Sequence, residues 1–176
     1  SVLGKLLYHT ATADRHAAGP FNAGDVPGFA AVHQPIYEKC QAVMAAMDPM
    51  EVASRLCRKH GLRIYPWLTI YDDAGYHPFT WSELIRKHPE FCWKSFDEDV
   101  YYHGVTSYVY PEVVGHRQTQ IKELLSYDVD GVYLCLRSHS RPPGYNEKYL
   151  AFLRDHKVSE WRDTPTHRGL DKMYED

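Results

Sequence analysis

Side chains able to take or give a proton, or to hold a hydroxyl, gather in this sequence at the ends of short apolar runs. Tyr71-Asp72-Asp73 follows the run that ends at Ile70, Arg137-Ser138-His139-Ser140 closes the run that begins at Gly131, and Tyr8-His9 ends the first apolar stretch. Glu147 lies a little past the third. A carboxylate released directly from a buried strand can serve as acid, base or hydroxyl acceptor, the chemistry open to Asp72 and Asp73. An Asx turn or a helix cap before Gly75 is the structural use of the same pair. Arg137 and His139 alternate along a strand end, so both can point one way and grip a hydroxyl or carboxylate, unless they are a surface arginine and a loop histidine. Glu147, in Gly144-Tyr145-Asn146-Glu147, is a general acid if its Pro- and Tyr-rich loop desolvates it, and a first-turn glutamate complementing a helix dipole if not. Asp130 precedes its strand and is expected at the opposite, purely structural end.

The chain carries 11 His, yet no HExxH or HxH occurs, and His9, His77, His103, His116 and His139 are far apart. No metal is expected, although a set of His9, His139 and Asp72 stays open as a two-histidine, one-carboxylate site. Cys40, Cys57, Cys92 and Cys135 form no CxxC pair and read as buried free thiols. The 14 Tyr, 4 Trp and 6 Phe fall largely in loops and strand ends. Trp67, Tyr71, Tyr76, Trp81, Trp93, Tyr101, Tyr102, Tyr108 and Tyr110 would offer flat apolar faces with polar tips, which suit the C–H faces of sugars. Trp67, in mid-strand, is instead expected in the core. The binding set is His9, Tyr71, Trp93, His103, Arg137 and His139, around the carboxylates Asp72, Asp73 and Glu147.

Length and charge bound the function. The 176 residues, 44% hydrophobic and 24% charged, describe one ordinary globular domain. A formal charge of −3 without a Lys/Arg-rich run argues against nucleic acid or an anionic membrane as partner. No run approaches the roughly 18 apolar residues of a membrane span. The start at Ser1, leading at once into the apolar stretch to Tyr8, is expected to follow chain cut away or never included, and the compartment stays open.

The elements that must position these residues alternate. Val2–His9 reads as a strand. Residues 11 to 47 hold Gly19-Pro20, Gly24, Pro27-Gly28 and Pro35, which should forbid a long helix before about Ile36. Asp48-Pro49-Met50-Glu51 is an N-cap followed by Pro at the first helical position and a glutamate, so a helix should run to about His60, with Val52, Ala53, Leu56 and Cys57 on its apolar face, and stop at Gly61. Leu62–Ile70 is a strand despite Pro66, which demands a bulge or an edge. Thr80-Trp81-Ser82-Glu83 is a capping box for a short helix to Lys87. Phe91 to Tyr110 suits a small hairpin. Pro111 opens a helix to about Ser126, with Val113, Val114, Ile121, Leu124 and Leu125 buried. A strand at Gly131–Arg137 and a helix from Tyr145 to about His156 follow. This order calls for a parallel sheet with right-handed crossovers. A small doubly wound sheet would be complete, but no GxGxxG or GxxxxGK[ST] marks its nucleotide sites. A (β/α)₈ barrel needs about 250 residues. The expected fold is therefore α/β, a partial (β/α)₈ TIM barrel of about three βα units forming one incomplete domain, with exposed strand edges and marginal stability or self-association.

Four segments then resemble a known group. His60-Gly61-Leu62-Arg63-Ile64-Tyr65-Pro66-Trp67-Leu68 resembles the HGL-x-hydrophobic-x-x-W strand of bacterial glycosyl-hydrolase-like, family 10-like TIM-barrel proteins. His88-Pro89-Glu90-Phe91 with Trp93 is similar to their HPEW element, Tyr108-Val109-Tyr110-Pro111-Glu112-Val113 to their YAYPEV helix start, and Val129-Asp130-Gly131-Val132-Tyr133-Leu134 to their VDGI-x-x-D strand. The likeness spans residues 48 to 150 and lies in the order of the elements. It implies a (β/α)₈ barrel, a carbohydrate substrate, hydrolysis by paired carboxylates without a cofactor, and further barrel strands from chain not included here. Cys135 stands where related strands often carry Asp. Asn146-Glu147 resembles the Asn-Glu of glycosidase barrels, with Lys148 where Pro is usual. Two other functions stay open: a non-catalytic carbohydrate-binding barrel, and a metal-dependent hydrolase using His9, His139 and Asp72.

Overall fold

The computed structural model describes residues 6–11, 21, 30–70, 81–94, 101–135 and 145–156, with the backbone alone at 30 and 101–104. Within them the chain is a mixture of helices and short strands, with one parallel and one antiparallel strand pair. Strand β1 (Trp67–Thr69) pairs in parallel with β4 (Tyr133–Cys135), in the register Trp67↔Tyr133, Leu68↔Leu134 and Thr69↔Cys135. Strands β2 (Cys92–Lys94) and β3 (Tyr101–Thr106) form the antiparallel hairpin expected between Phe91 and Tyr110, with its register broken between Cys92 and Trp93. Among the described residues the chain is thus α/β, and both strands of its parallel pair are short, three residues each.

Helix α1 (Ala30–Ala46) corrects the sequence reading, because Pro35 lies inside its 17 residues instead of preceding them. Pro35 sits just past the first turn, so it removes one backbone bond that its ring would also crowd. Burial of Tyr37 and Met44 on one face opposes that cost. Helix α2 (Pro49–Lys59) is built as its sequence demands. Asp48 caps it by accepting from the Met50 amide at 2.9 Å, and Gly61, at φ 66°, ends it. The Leu62 amide then returns to the Cys57 carbonyl at 2.8 Å. Leu56, expected on the buried face, is exposed. In α3 (Glu83–Lys87) the cap is Ser82, whose Oγ accepts from the Ile85 amide, so the helix opens two residues later than a Thr80 capping box would place it. A 3₁₀ turn, Pro89–Phe91, leads into β2.

Helix α4 (Pro111–Leu124) ties the molecule together. Its buried positions are Val113, Arg117, Gln120 and Leu124, a single face at i, i+4, i+7 and i+11. Val113 joins Ile85, Phe91 and Cys92 in one cluster, while Leu124 joins Leu6, Tyr8 and Leu68 in another. Leu125, expected in the stripe, is 53% exposed beyond the helix end. Helix α5 (Glu147–Asp155) packs Leu150 and Leu153 against Tyr145. Tyr145 and Asn146 dock on the hairpin: the Tyr145 amide donates to Lys94 O at 2.9 Å, and Asn146 Nδ2 donates to Glu90 O at 3.1 Å and Cys92 O at 2.7 Å.

The two faces of the parallel pair differ. Leu68 points into the Leu6–Leu124 cluster, so its neighbour Trp67 must point the other way. Trp67 is accordingly 56% exposed, not in the core as mid-strand position led one to expect, and packs its ring against Tyr133 at 5.3 Å between centroids. Thr69, on the same face, is buried, so the exposure is confined to the Trp67–Tyr133 end of the pair. Pro66 is accommodated because it precedes β1 and is needed only as an acceptor, its carbonyl taking the Tyr133 amide at 2.8 Å. Of the expected first strand, Leu6 forms a single bridge and residues 1–5 lie outside the described set. At the amino end of the pair, Asp130 takes the Ile64 amide at 2.8 Å and Arg58 Nη1 at 3.1 Å, the structural role expected of it. The bond from Ile64 and the Arg58 charge hold its carboxyl below the ordinary range.

Candidate functional site at the carboxyl end of β1

In α/β sheets ligands meet the carboxyl ends of parallel strands. Here the Ile70 amide continues the ladder beyond Thr69 by donating to the Cys135 carbonyl at 3.1 Å. The Ile70 carbonyl is held from the helix layer: Tyr108 donates its hydroxyl to it, and Arg117 donates Nη2 at 3.0 Å. Arg117 Nε also donates to the Tyr108 hydroxyl at 3.3 Å, and Nη1 to Gln120 Oε1 at 2.6 Å. Gln120, with its oxygen committed to Arg117, donates Nε2 toward His116 Nε2 at 3.1 Å. That order assigns the His116 proton to Nδ1, an inference from the network. A guanidinium only 5% exposed therefore grips the last residue before Tyr71-Asp72-Asp73.

Why the sequence builds this is local. The helix opened by Pro111 carries Arg117 and Gln120 at positions an apolar stripe would fill, and both are buried. A buried guanidinium is costly unless hydrogen-bonded, and the planar five-donor fork satisfies three neutral acceptors at once. Reading the stripe for apolar residues alone missed Arg117 and Gln120, although their spacing from Val113 to Leu124 was the available signal.

The residues singled out from sequence fall in different places. Tyr71, Asp72, Asp73, Arg137 and His139 lie outside the described residues, and of His103, on β3, only the backbone is described. His9 is exposed, yet its Nε2 is bonded to the Met44 carbonyl at 2.6 Å and its backbone amide to Asp48 Oδ2 at 3.2 Å. Trp93 is buried in β2 at 5% exposure, so its ring is packing material in this structure rather than an open platform. Glu147 is exposed in the first turn of α5, where the helix dipole favours a carboxylate, with Arg154 Nη2 4.0 Å away. Cys40, Cys57, Cys92 and Cys135 are all free thiols, of which only Cys92 is buried.

Among the described residues no group of His, Cys, Asp or Glu is arranged to hold a metal, and no helix is long and apolar enough to cross a membrane. No protein-family model matches the chain, and no curated protein matches it.

Proposed function

We propose that this chain is part of a glycoside-hydrolase-like (β/α)₈ barrel that hydrolyses or binds an oligo- or polysaccharide without a cofactor. The observation carrying this reading is the register Thr69↔Cys135. Parallel pairing starts the loop of Asp72 and Asp73 and the segment of Arg137 and His139 from adjacent strand ends, where a barrel keeps its reacting groups. Asp72, Asp73 and Glu147 would supply the carboxyl pair, and His9, Tyr71, His103, Arg137 and His139 the binding groups; Trp93, buried in β2, would serve as packing beneath them. The exposed Trp67 and Tyr133 fit a further layer over the pair, since parallel sheets are covered on both faces. Neither nucleic acid nor membrane is part of this reading.

The test is reducing-sugar release from a panel of soluble polysaccharides by the intact protein and its Asp72→Asn, Asp73→Asn and Glu147→Gln variants. Loss of a catalytic carboxyl should lower turnover by about 10²–10⁴-fold. Sugar affinity without turnover would instead establish the non-catalytic binding barrel, a second reading favoured by the uncharged Thr69 and Cys135 at the strand ends. Activity abolished by a chelator would establish the metal-dependent one.

A further inference from the structure

Helix α1 is apolar on two faces. Tyr37 and Met44 are buried on one of them. Round the same helix, Val32, Ile36 and Val43, continued by Met47 just past its end, keep 61%, 56%, 47% and 44% of their surface exposed. The Met47 amide still bonds to the Val43 carbonyl at 3.0 Å, so this residue stays on the helical track. At 3.6 residues per turn the four side chains fall within about 60° of one another, a single stripe turned away from Tyr37 and Met44.

The stripe has a symmetry of its own. Val32 and Met47 lie equally far along the chain from the midpoint between Lys39 and Cys40, and so do Ile36 and Val43. Reversing the helix therefore lays the stripe onto itself, Val32 against Met47 and Ile36 against Val43. That is what an isologous two-fold contact requires, since one patch must serve both partners. Antiparallel pairing also sets the positive end of each helix dipole beside the negative end of the other. Lys39 flanks the axis on one edge of the stripe, where its stem can cover apolar surface while its ammonium stays in water. Cys40, a half-buried free thiol, flanks it on the other edge. A two-fold axis keeps like edges on the same side, so each Cys40 faces its counterpart.

We propose that this stripe of α1 is a self-association surface, on which a second copy of the chain docks its own α1 in antiparallel orientation. The four exposed side chains offer roughly 350 Å² of apolar surface, a size at which a contiguous patch marks an interaction site. Pairing covers it twice, and with the flanking Lys39, Ala42 and Ala46 the contact approaches about 1,000 Å², the lower limit for a specific interface. The dimer is accordingly weak and reversible. It uses no group of the proposed saccharide site, so it holds whether or not Asp72, Asp73 and Glu147 hydrolyse a sugar, and it lies on a helix rather than on the strand edges.

Sedimentation equilibrium of the 176-residue chain, from micromolar to millimolar concentration, reads it. A monomer–dimer equilibrium is expected, and a short bis-maleimide should join two Cys40 thiols, recovered as a Cys40–Cys40 peptide by mass spectrometry. Ile36→Glu, shown by circular dichroism to be folded, places a carboxylate in the seam twice by symmetry and should raise the dissociation constant at least about tenfold. Ala31→Glu, at an exposed position of α1 off the stripe, should leave it within about twofold. A chain that stays monomeric at millimolar concentration overturns the proposal. Association that a folded Ile36→Glu retains, or dimers cross-linked through Cys57 or Cys135 and not through Cys40, would overturn it too by assigning the contact to another surface.

Discussion

Arg117, buried in the middle of α4, donates to the carbonyl of Ile70, the residue that follows β1, across 3.0 Å. One helix thereby fixes the point at which the chain leaves β1 toward Asp72 and Asp73. Truncating a member of such a network leaves its partners unsatisfied in a low-dielectric interior, at about 1–3 kcal/mol each. Arg117→Ala should therefore destabilise the chain by about 3 kcal/mol, read from the urea midpoint. Arg117→Lys should recover only part of this, since an ammonium cannot serve Ile70, Tyr108 and Gln120 with a planar fork.

How much of this was legible varies from residue to residue. Asp48-Pro49 and Gly61 announced both ends of α2 because capping is a local matter of side-chain acceptors and backbone φ. The Phe91–Tyr110 hairpin and the order of helices and strands came from patterning of the same local kind. Pro35 misled, since a proline just inside a helix costs one bond that tertiary burial can outweigh. Trp67 misled too: an aromatic in mid-strand is buried only if its face is covered, and coverage is a property of other segments. Arg117 and Gln120 were hidden by looking for apolar residues in a buried stripe. Trp93 and Glu147 were correctly placed on their elements, but burial of the one and exposure of the other follow from packing across the hairpin.

Asp48 caps α2 as well as holding Tyr127 and the His9 amide. Asp48→Ala should cost about 1–2 kcal/mol at neutral pH, and Asp48→Asn less, because an amide oxygen still caps. The carboxyl is held below its ordinary pKa in the folded chain, so its contribution is fully present above the unfolded value. It is lost as pH falls through the folded one. Denaturation of wild type and Asp48→Asn should therefore converge as the pH drops below the ordinary carboxylate range.

Gly61 adopts φ 66° with open space where a side chain would go, so the penalty of adding one is purely conformational. Gly61→Ala should destabilise by about 1 kcal/mol, and Gly61→Asn by less. Thermal melts of the three proteins decide it.

Leu68 and Trp67 should respond oppositely to truncation. Leu68 is buried with Leu6, Tyr8 and Leu124, and Leu68→Ala should cost about 3–5 kcal/mol. Trp67, half-exposed in this chain, should lose about 1 kcal/mol or less on the same change.

The most direct test of the account is a crystal structure of the protein in which the carboxyl carbons of Asp72, Asp73 and Glu147 are located. The account predicts that one aspartate lies about 5–9.5 Å from Glu147 across a cleft at the ends of β1 and β4, the separation that glycoside hydrolysis requires. Carboxyl groups all farther apart than about 9.5 Å, with no cleft between them, would contradict it.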